Sequence, residues 1–315
     1  MLKRTLPGTD LALSVVGFGA WAIGGDYWGD DVSDARSIDA IHAALDHGIN
    51  WFDTAPLYGH GHSEVVLARA LQGRNAIIAT KVGVMQVGVH AQSVLTPENL
   101  RRDLDASLKR LGTDCIDLLQ VHWPCERDTP LDVSYGELGR LREEGKYRHL
   151  GVCNYNPDDL ARIHEITPIV SVQTGYSLLR REYETGMSDA VQALNIGALA
   201  YEPLGRGLLT GKFTTPPLFP KTDLRQRDPR FQGARFFHAQ RLTSDLSRIA
   251  RKVGAPTSAL AIGWVANRPG ITSVIAGAKG PEQVAENAKA AALLSRSNLW
   301  KVVDKVAALH GGTPM

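Results

Sequence analysis

Along the chain, short apolar, β-rich runs alternate with longer stretches whose apolar residues recur every three or four positions. Eight such runs fall at residues 15–19, 50–54, 76–81, 116–122, 149–154, 169–173, 197–201 and 273–277. The periodic stretches lie mostly between them. Ser33 opens a predicted helix over 34–47 that aligns Ile38, Ile41, Ala44 and Leu45 on one face. A short helix is expected over 63–71. Thr96 followed by Pro97 is a helix start, running to Leu111 and stopping at Gly112. Further helices are expected over 132–144, 157–165, 184–194, 238–253, 257–266, 281–292 and 298–309. Ahead of the first run, residues 3–6 and 11–14 flank the turn Pro7-Gly8-Thr9-Asp10 and read as a β-hairpin.

Eight strand–helix repeats with short connections predict a (β/α)8 TIM barrel with an N-terminal β-hairpin and a C-terminal helix, one domain over 1–315. An open doubly wound sheet shares the alternation. Its dinucleotide-binding form usually carries GxGxxG after the first strand, and Gly17-Phe18-Gly19-Ala20-Trp21-Ala22 lacks the third glycine. Residues 213–237 break the rhythm. They are rich in Pro, Arg, Asp and Phe, show no helical period and follow the seventh strand. In a barrel that places them on the active-site face, where they read as a lid loop over a bound cofactor.

Composition narrows the partners. In 315 residues, 43% are hydrophobic, enough for a sizeable core; 35 basic and 33 acidic residues leave a net charge of +2. That balance supplies no electrostatic case for nucleic acid or a membrane surface. Cys115, Cys125 and Cys153 are odd in number and form no CxxC pair, which argues against a disulfide framework or a zinc site and for a reducing, cytoplasmic setting. Lys3 and Arg4 before an apolar stretch resemble a secretion signal. The intervening turn, with Gly17, Gly19, Gly24 and Gly25, interrupts that stretch and favours the hairpin. No apolar run is long enough for a membrane helix. No metal site is expected: His60 and His62 lie two apart in a Gly-rich loop, and Glu64 does not complete a ligand set.

The chemistry gathers at strand ends. Asp53, Lys81 and His122 close three of the runs, and Tyr58 lies in the loop between the first two. Asn154 and Gln173 close two more. Neighbouring strands of a barrel would let Asp53 pair with Lys81, a buried carboxylate needing a cation. Tyr58 over that ammonium would have its phenol pKa lowered from about 10 and so become a proton donor near neutral pH. His122 would hydrogen-bond a substrate oxygen. Singly, each residue has a plainer role as turn former, surface charge or structural histidine; their joint spacing is what points to carbonyl chemistry.

With these residues the sequence resembles the aldo-keto reductase family. The matching segments are Asp53-Thr54-Ala55-Pro56-Leu57-Tyr58-Gly59, Thr80-Lys81, Val121-His122, Gly151-Val152-Cys153-Asn154-Tyr155, Val172-Gln173, residues 200–212, and Val274-Ile275-Ala276-Gly277-Ala278-Lys279, followed by Gln283, Glu286 and Asn287. Leu224-Arg225 and Arg235-Phe236 resemble a bacterial branch of it. The resemblance implies NADP(H), or NAD(H), lying across the barrel mouth, Tyr58 as general acid tuned by Lys81 and Asp53, and His122 orienting the carbonyl. It implies Asn154 and Gln173 on the carboxamide and Tyr201 stacked on the nicotinamide. Leu204, Gly205, Arg206, Gly207 and Leu209, with Lys212 nearby, would wrap the pyrophosphate. Trp21, Gly277, Lys279, Gln283 and Asn287 would complete the cofactor groove.

Two positions depart from the family. Lys279 stands where Arg is more frequent, a point charge in place of a bidentate fork, so NADPH remains the expected cofactor while NADH stays open. Cys153 replaces a Ser and weakens one contact to the carboxamide. Trp21, Tyr27, Trp28, Trp51 and Trp123 fall in or beside strand-end loops; Trp28 and Trp123 are expected on the substrate wall, and Trp51 either there or in the core. Asp26, Asp30, Asp31, His60, His62, Arg225 and Arg227 are loop polars that would meet a sugar or face solvent. The expected substrate is a small carbonyl compound: an aldehyde, aldose or keto-sugar. Two other readings stand beside reduction: an NAD-dependent sugar dehydrogenase working oxidatively, and a nucleotide-sensing regulatory subunit. Monomer and homo-oligomer are both compatible with the sequence.

Overall fold

The computed structural model describes residues 1–25, 28–29, 32–87, 90–125 and 129–310; Asp26, Tyr27, Asp30 and Asp31 lie outside the described residues. The chain opens with the antiparallel hairpin β1 (Lys3–Thr5) and β2 (Ala12–Ser14). Then come β3 (Val16–Gly19), α1 (Asp34–Asp46), β4 (Trp51–Asp53), α2 (His62–Leu71) and β5 (Ile77–Val82). A second hairpin, β6 (Val84–Val87) and β7 (His90–Ser93), precedes α3 (Pro97–Leu111) and β8 (Ile116–Val121). The alternation resumes with α4 (Leu131–Glu143), β9 (Tyr147–Cys153), α5 (Pro157–Ile166), β10 (Ser171–Gly175), α6 (Met187–Ala193) and β11 (Gly197–Tyr201). It ends with α7 (Gly233–Val253), α8 (Thr257–Ala266), β12 (Ile271–Gly277), α9 (Pro281–Ala288), α10 (Ala290–Leu293) and α11 (Ser297–Leu309).

Eight of these strands close on one another in parallel, in the order β3-β4-β5-β8-β9-β10-β11-β12. This is the expected (β/α)8 barrel. Helix starts follow local chemistry. The side chains of Ser33, Thr96 and Asn156 accept from backbone N–H groups at the starts of α1, α3 and α5, and Pro occupies the first position of α3, α5 and α9. The main core lies between barrel and helices, where outward strand residues such as Val16, Phe52, Leu119 and Val172 meet helix residues such as Leu100, Leu138 and Leu260.

A second, smaller core fills the barrel interior. Leu6, Leu11 and Leu13 of the first hairpin pack with Trp51, Ala79, Leu118 and Leu199. The hairpin is therefore a plug at the end where the strands begin. Trp51 belongs to this core, fully buried, and its indole donates to Ser14 O (3.1 Å) and Ser273 Oγ (3.0 Å). Of its two expected places, the core is the one it takes.

Some boundaries depart from expectation. The stretch 213–237 is not wholly aperiodic: its last five residues open α7, which starts at Gly233 and buries Phe236. Before that lie two short 3-10 turns, Leu224–Arg227 and Pro229–Phe231. The helix expected over 184–194 starts only at Met187, after a 3-10 turn and a left-handed Gly186. The helix expected over 281–292 divides into α9 and α10. The β6–β7 hairpin was not anticipated.

Gly17 sets how tightly the plug closes. A methyl group there would lie 2.1 Å from Trp51 Cε2, and the indole is held by two hydrogen bonds. Gly17→Ala is therefore expected to destabilise the fold by about 1–3 kcal/mol through overpacking. Urea unfolding of the two proteins measures it, and an unchanged midpoint would show that Trp51 can move aside.

Candidate active site

Parallel closure brings every strand's C-terminal end to one face. Asp53 ends β4, Lys81 lies near the end of β5, His122 follows β8, Asn154 follows β9, Gln173 is central in β10 and Tyr201 ends β11. Lys81 Nζ donates to Asp53 Oδ1 (2.6 Å), to Thr54 O (2.9 Å) and to Tyr58 OH (3.2 Å). Lysine and aspartate are almost fully buried. The Tyr58 and His122 rings meet edge to face, centroids 5.9 Å apart, and Trp123 stacks on His122 at 4.2 Å. The four residues expected from sequence thus share one cluster.

Tyr58 reaches this cluster because its loop can approach the one after β3. Gly59 has φ +60°, and a Cβ there would lie 2.1 Å from Gly24 O. No other residue type fits that crossing without displacing backbone.

Electrostatics depart from expectation at the phenol. Burial pushes the Tyr58 pKa up to about 12; Lys81 pulls it down, while Asp53 adds to the rise. The expected lowering does not occur because the ammonium is already committed to the Asp53 carboxylate and a carbonyl, so desolvation outweighs it. At Lys81, burial favours the neutral amine. Asp53, then Tyr58 and Cys153, outweigh it and hold the ammonium well above its ordinary value. His122 is held well below its ordinary value, first by burial and then by the Lys81 charge, and is neutral.

Above this cluster opens a cavity of about 1270 Å³. Trp21, Trp28, Leu57, Tyr58, His122 and Trp123 wall its inner part, with Ala91 of the β6–β7 hairpin. Its long arm runs past Asn154, Gln173 and Tyr201 to Leu204, Gly207 and Lys212, and to Gly277, Lys279, Gln283 and Asn287. Gly205 and Leu209 are not in the wall; Leu209 is fully buried in the main core. Asn154 donates to His122 O (3.1 Å) and accepts from the Tyr201 hydroxyl (2.8 Å). Gln173 donates to Asp53 Oδ2 (2.7 Å) and Gln120 Oε1 (3.0 Å), so its amide nitrogen is spent inside the barrel and its oxygen is left for the cavity. Cys153 donates only a long contact to Gln120 Oε1 (3.7 Å).

Arg180 was not anticipated in the cavity; it donates to the Tyr201 hydroxyl (3.3 Å). Arg206, expected at the pyrophosphate, lies over the Trp21 ring at 5.6 Å. Arg206 and Arg230 each bond both Glu202 and Asp228, tying the loop after β11 to residues 228–230. Arg225, expected as a loop polar, is buried, paired with Asp223 and lying over the Trp28 and Phe219 rings; Arg227 is exposed. Trp28 and Asp223 form a β-bridge, and Lys279 Nζ donates to Trp28 O. The only signal for such pairings is the density of Arg and Asp in 223–230. His62 pairs with Asp34 (2.8 Å) and Glu64 with Arg110 (2.6 Å). Among the described residues, no group of three or more His, Cys, Asp or Glu side chains could hold a metal ion, and no helix is long and apolar enough to cross a membrane.

A buried Asp53–Lys81–Tyr58–His122 cluster at the mouth of a parallel barrel, with a long groove beside it that ends in cations, is compatible with a nucleotide-dependent oxidoreductase. Comparison with known proteins narrows the class. The profile of the Aldo/keto reductase family matches residues 15–308. The chain is 36% identical over 293 residues to the aldo-keto reductase YhdN of Bacillus subtilis, covering 90% of this chain and 87% of that protein. It is 32% identical over 306 residues to an NADH-specific methylglyoxal reductase of Escherichia coli, covering 92% and 93%. The structure of a glycerol dehydrogenase from Gluconobacter oxydans superposes with a TM-score of 0.90 at 37% identity, covering 100% of this chain and 97% of that one. The chain belongs to the aldo/keto reductase family and is an NAD(P)H-dependent oxidoreductase.

The neutral His122 gives a pH test. Its pKa is lowered in the folded state, so the unfolded chain takes up the proton first as pH falls below about 6.5. Stability from this residue is fully present above that pH and is lost on acidification. The stability advantage of wild type over His122→Gln is expected to shrink below about pH 6.5, by at most about 1.4 kcal/mol per pH unit. Parallel stability–pH curves for the two proteins would contradict it.

Proposed function

We propose that the protein reduces the carbonyl of a small polar aldehyde or ketone, such as an aldose or keto-sugar, with Tyr58 as general acid. The observation carrying this reading is the contact of Lys81 Nζ with both Asp53 Oδ1 (2.6 Å) and Tyr58 OH (3.2 Å) at the cavity floor. A phenol whose pKa is about 12 stays protonated through the physiological range and is ready to donate. When it has donated, the ammonium at hydrogen-bond distance stabilises the phenolate. Neutral His122 presents a ring N–H to the substrate oxygen and fixes it near the phenol. The aromatic wall of Trp21, Trp28 and Trp123 limits substrate size and excludes water.

The groove fits a nicotinamide dinucleotide in its donor set. The Gln173 oxygen suits a carboxamide N–H, and the Tyr201 face a planar ring. Lys212, beside the tight left-handed turn of Gly205, Arg206 and Gly207, suits a pyrophosphate, while the Gly205 and Gly207 N–H groups already donate to Glu202 O and Leu204 O. When bound, the reduced cofactor supplies the hydride. Residues 213–232 act as a lid, supported by the ion pairs of Arg206 and Arg230 with Asp228.

NADPH is the preferred cofactor in this reading, because Lys279 lies just before the N-terminus of α9 and lines the groove. The competing choice, NADH, has its own support. Lys279 Nζ already donates to Trp28 O, so part of its hydrogen-bonding capacity is spent. Lys279→Met decides: about tenfold weaker NADPH binding with NADH within about twofold supports a 2′-phosphate partner, being near 1.4 kcal/mol. Equal effects on both cofactors would remove Lys279 from that role.

Tyr58→Phe tests the reaction itself. Turnover of glyceraldehyde is expected to fall roughly 10²–10⁴-fold while the cofactor dissociation constant, read by tryptophan fluorescence, stays within about twofold. A variant that keeps its turnover overturns the acid assignment, and a wild type that binds the cofactor without turnover points to the sensing role.

A further inference from the structure

Gln120 is a buried amide next to the C-terminal end of strand β8, between Leu119 and Val121, and outside the Asp53–Tyr58–Lys81–His122 cluster itself. A polar side chain there must find partners or cost stability. Its partners are specific. Nε2 donates to Asp53 Oδ2 (3.0 Å), while Oε1 accepts from Gln173 Nε2 (3.0 Å) and, at 3.7 Å, from the Cys153 thiol. Gln120 sits opposite Lys81 on β5 and Gly151 on β9 in the sheet register. A Cβ on Gly151 would lie 2.3 Å from Ser171 Oγ and only in ordinary contact, 3.4 Å, with Gln120 Cγ, so Gln120 is fixed by its hydrogen bonds and not by the glycine.

Asp53 thus has its two oxygens used differently. Oδ1 faces Lys81, and Oδ2 takes N–H groups from Gln120 and Gln173. Without the amides, Oδ2 would be a buried anionic oxygen lacking donors, and the carboxylate could turn it toward the ammonium. We propose that Gln120 is a positioning residue for the reaction inferred above. It fixes the Asp53 rotamer that aims Lys81 at Tyr58. Through Gln173 it couples the amide end of the cofactor groove to that ion pair. The inference rests on the proposed carbonyl reduction, and neither the strand pattern nor the family resemblance pointed to this residue.

Two variants test it in the full chain, with glyceraldehyde, NADPH and NADH as probes. Gln120→Met removes donor and acceptor at similar volume. It is expected to bind one cofactor per chain several-fold more weakly, to lose about ten- to a hundredfold in turnover, and to show a larger deuterium isotope effect with 4-deuterated cofactor, because misalignment slows the hydride step. Gln120→Glu keeps the shape and the acceptor but replaces the donor with a second carboxylate. The titratable groups around it are Asp53 from β4 and Cys153 from β9, which it contacts, Lys81 opposite it on β5, and, in the same cluster, Tyr58 from the loop after β4 and His122 two residues on. Two carboxylates at that distance cannot both ionise readily, so the introduced carboxyl takes a proton at moderate pH and can then donate to Asp53.

The turnover of Gln120→Glu relative to wild type is expected to rise about tenfold or more between about pH 8.5 and pH 5.5. A purely structural amide would lower the unfolding midpoint without this pH-dependent rescue or the larger isotope effect. The proposal is overturned if the ratio is flat with pH and the isotope effect is unchanged, or if neither variant folds. Should only one fold, its own readout decides. A wild type with no turnover defeats the proposed reaction, whereas an active wild type beside an unaltered Gln120→Met defeats only the positioning role.

Discussion

Asp53 and Lys81 face each other at 2.6 Å with almost no solvent, and most of the upper barrel is arranged around that fact. Removing two charges from water costs several kcal/mol for each ion, and their mutual attraction offsets this only if the remaining donors and acceptors are satisfied. They are satisfied from three directions. Thr54 O takes a second ammonium proton, and Gln120 and Gln173 supply N–H groups to the carboxylate. These residues come from β4, β5, β8 and β10 and the loop after β4, which an open sheet would spread along a row. Closure of the barrel places them around one point, so fold and site impose one constraint.

That constraint explains which features can be read from the chain before folding. Parallel strands all point their ends at the site, so each functional residue follows an apolar run, and Asp53, Lys81, His122, Asn154 and Tyr201 carry that signature. Strand boundaries were legible for the same reason; residues expected over 116–122 and 197–201 form Ile116–Val121 and Gly197–Tyr201. Capping chemistry marked the starts of α1, α3 and α5. The β6–β7 hairpin was not legible because it sits in a connection, pairs only with itself and alters no barrel period. The start of α7 was hidden by Gly233 and by neighbouring Arg and Phe residues, whose partners lie elsewhere in the loop.

The phenol shows a different limit. Its neighbours could be named from sequence, but the sign of its shift depends on how much of the Lys81 charge remains for it. Asp53 and Thr54 take most of the short contacts, leaving Tyr58 the longest of the three at 3.2 Å. Pairing between residues was legible; the division of one cation among three acceptors is set by distances of tenths of an ångström. Gln120 is the intermediate case. An amide inside Leu118-Leu119-Gln120-Val121 signals a buried hydrogen-bond partner, but which carboxylate it meets depends on barrel closure.

The charges around the cavity separate into two layers with different physics. The deep layer is the single pair that burial makes costly and the amides make rigid; salt reaches it little. The outer layer is the ring of Glu202, Arg206, Asp228 and Arg230, partly open to water. Glu202 and Arg206 hold left-handed backbone conformations, φ 54° and 56°, that cost energy for residues with a Cβ. The ring's bonds offset that cost, and salt and hydration weaken them more than they weaken the deep pair. The sequence places left-handed strain and part-buried ion pairs in the outer loops, and puts uncharged donors around the buried pair. Salt and water can therefore reach the outer ring while the buried pair keeps its uncharged donors.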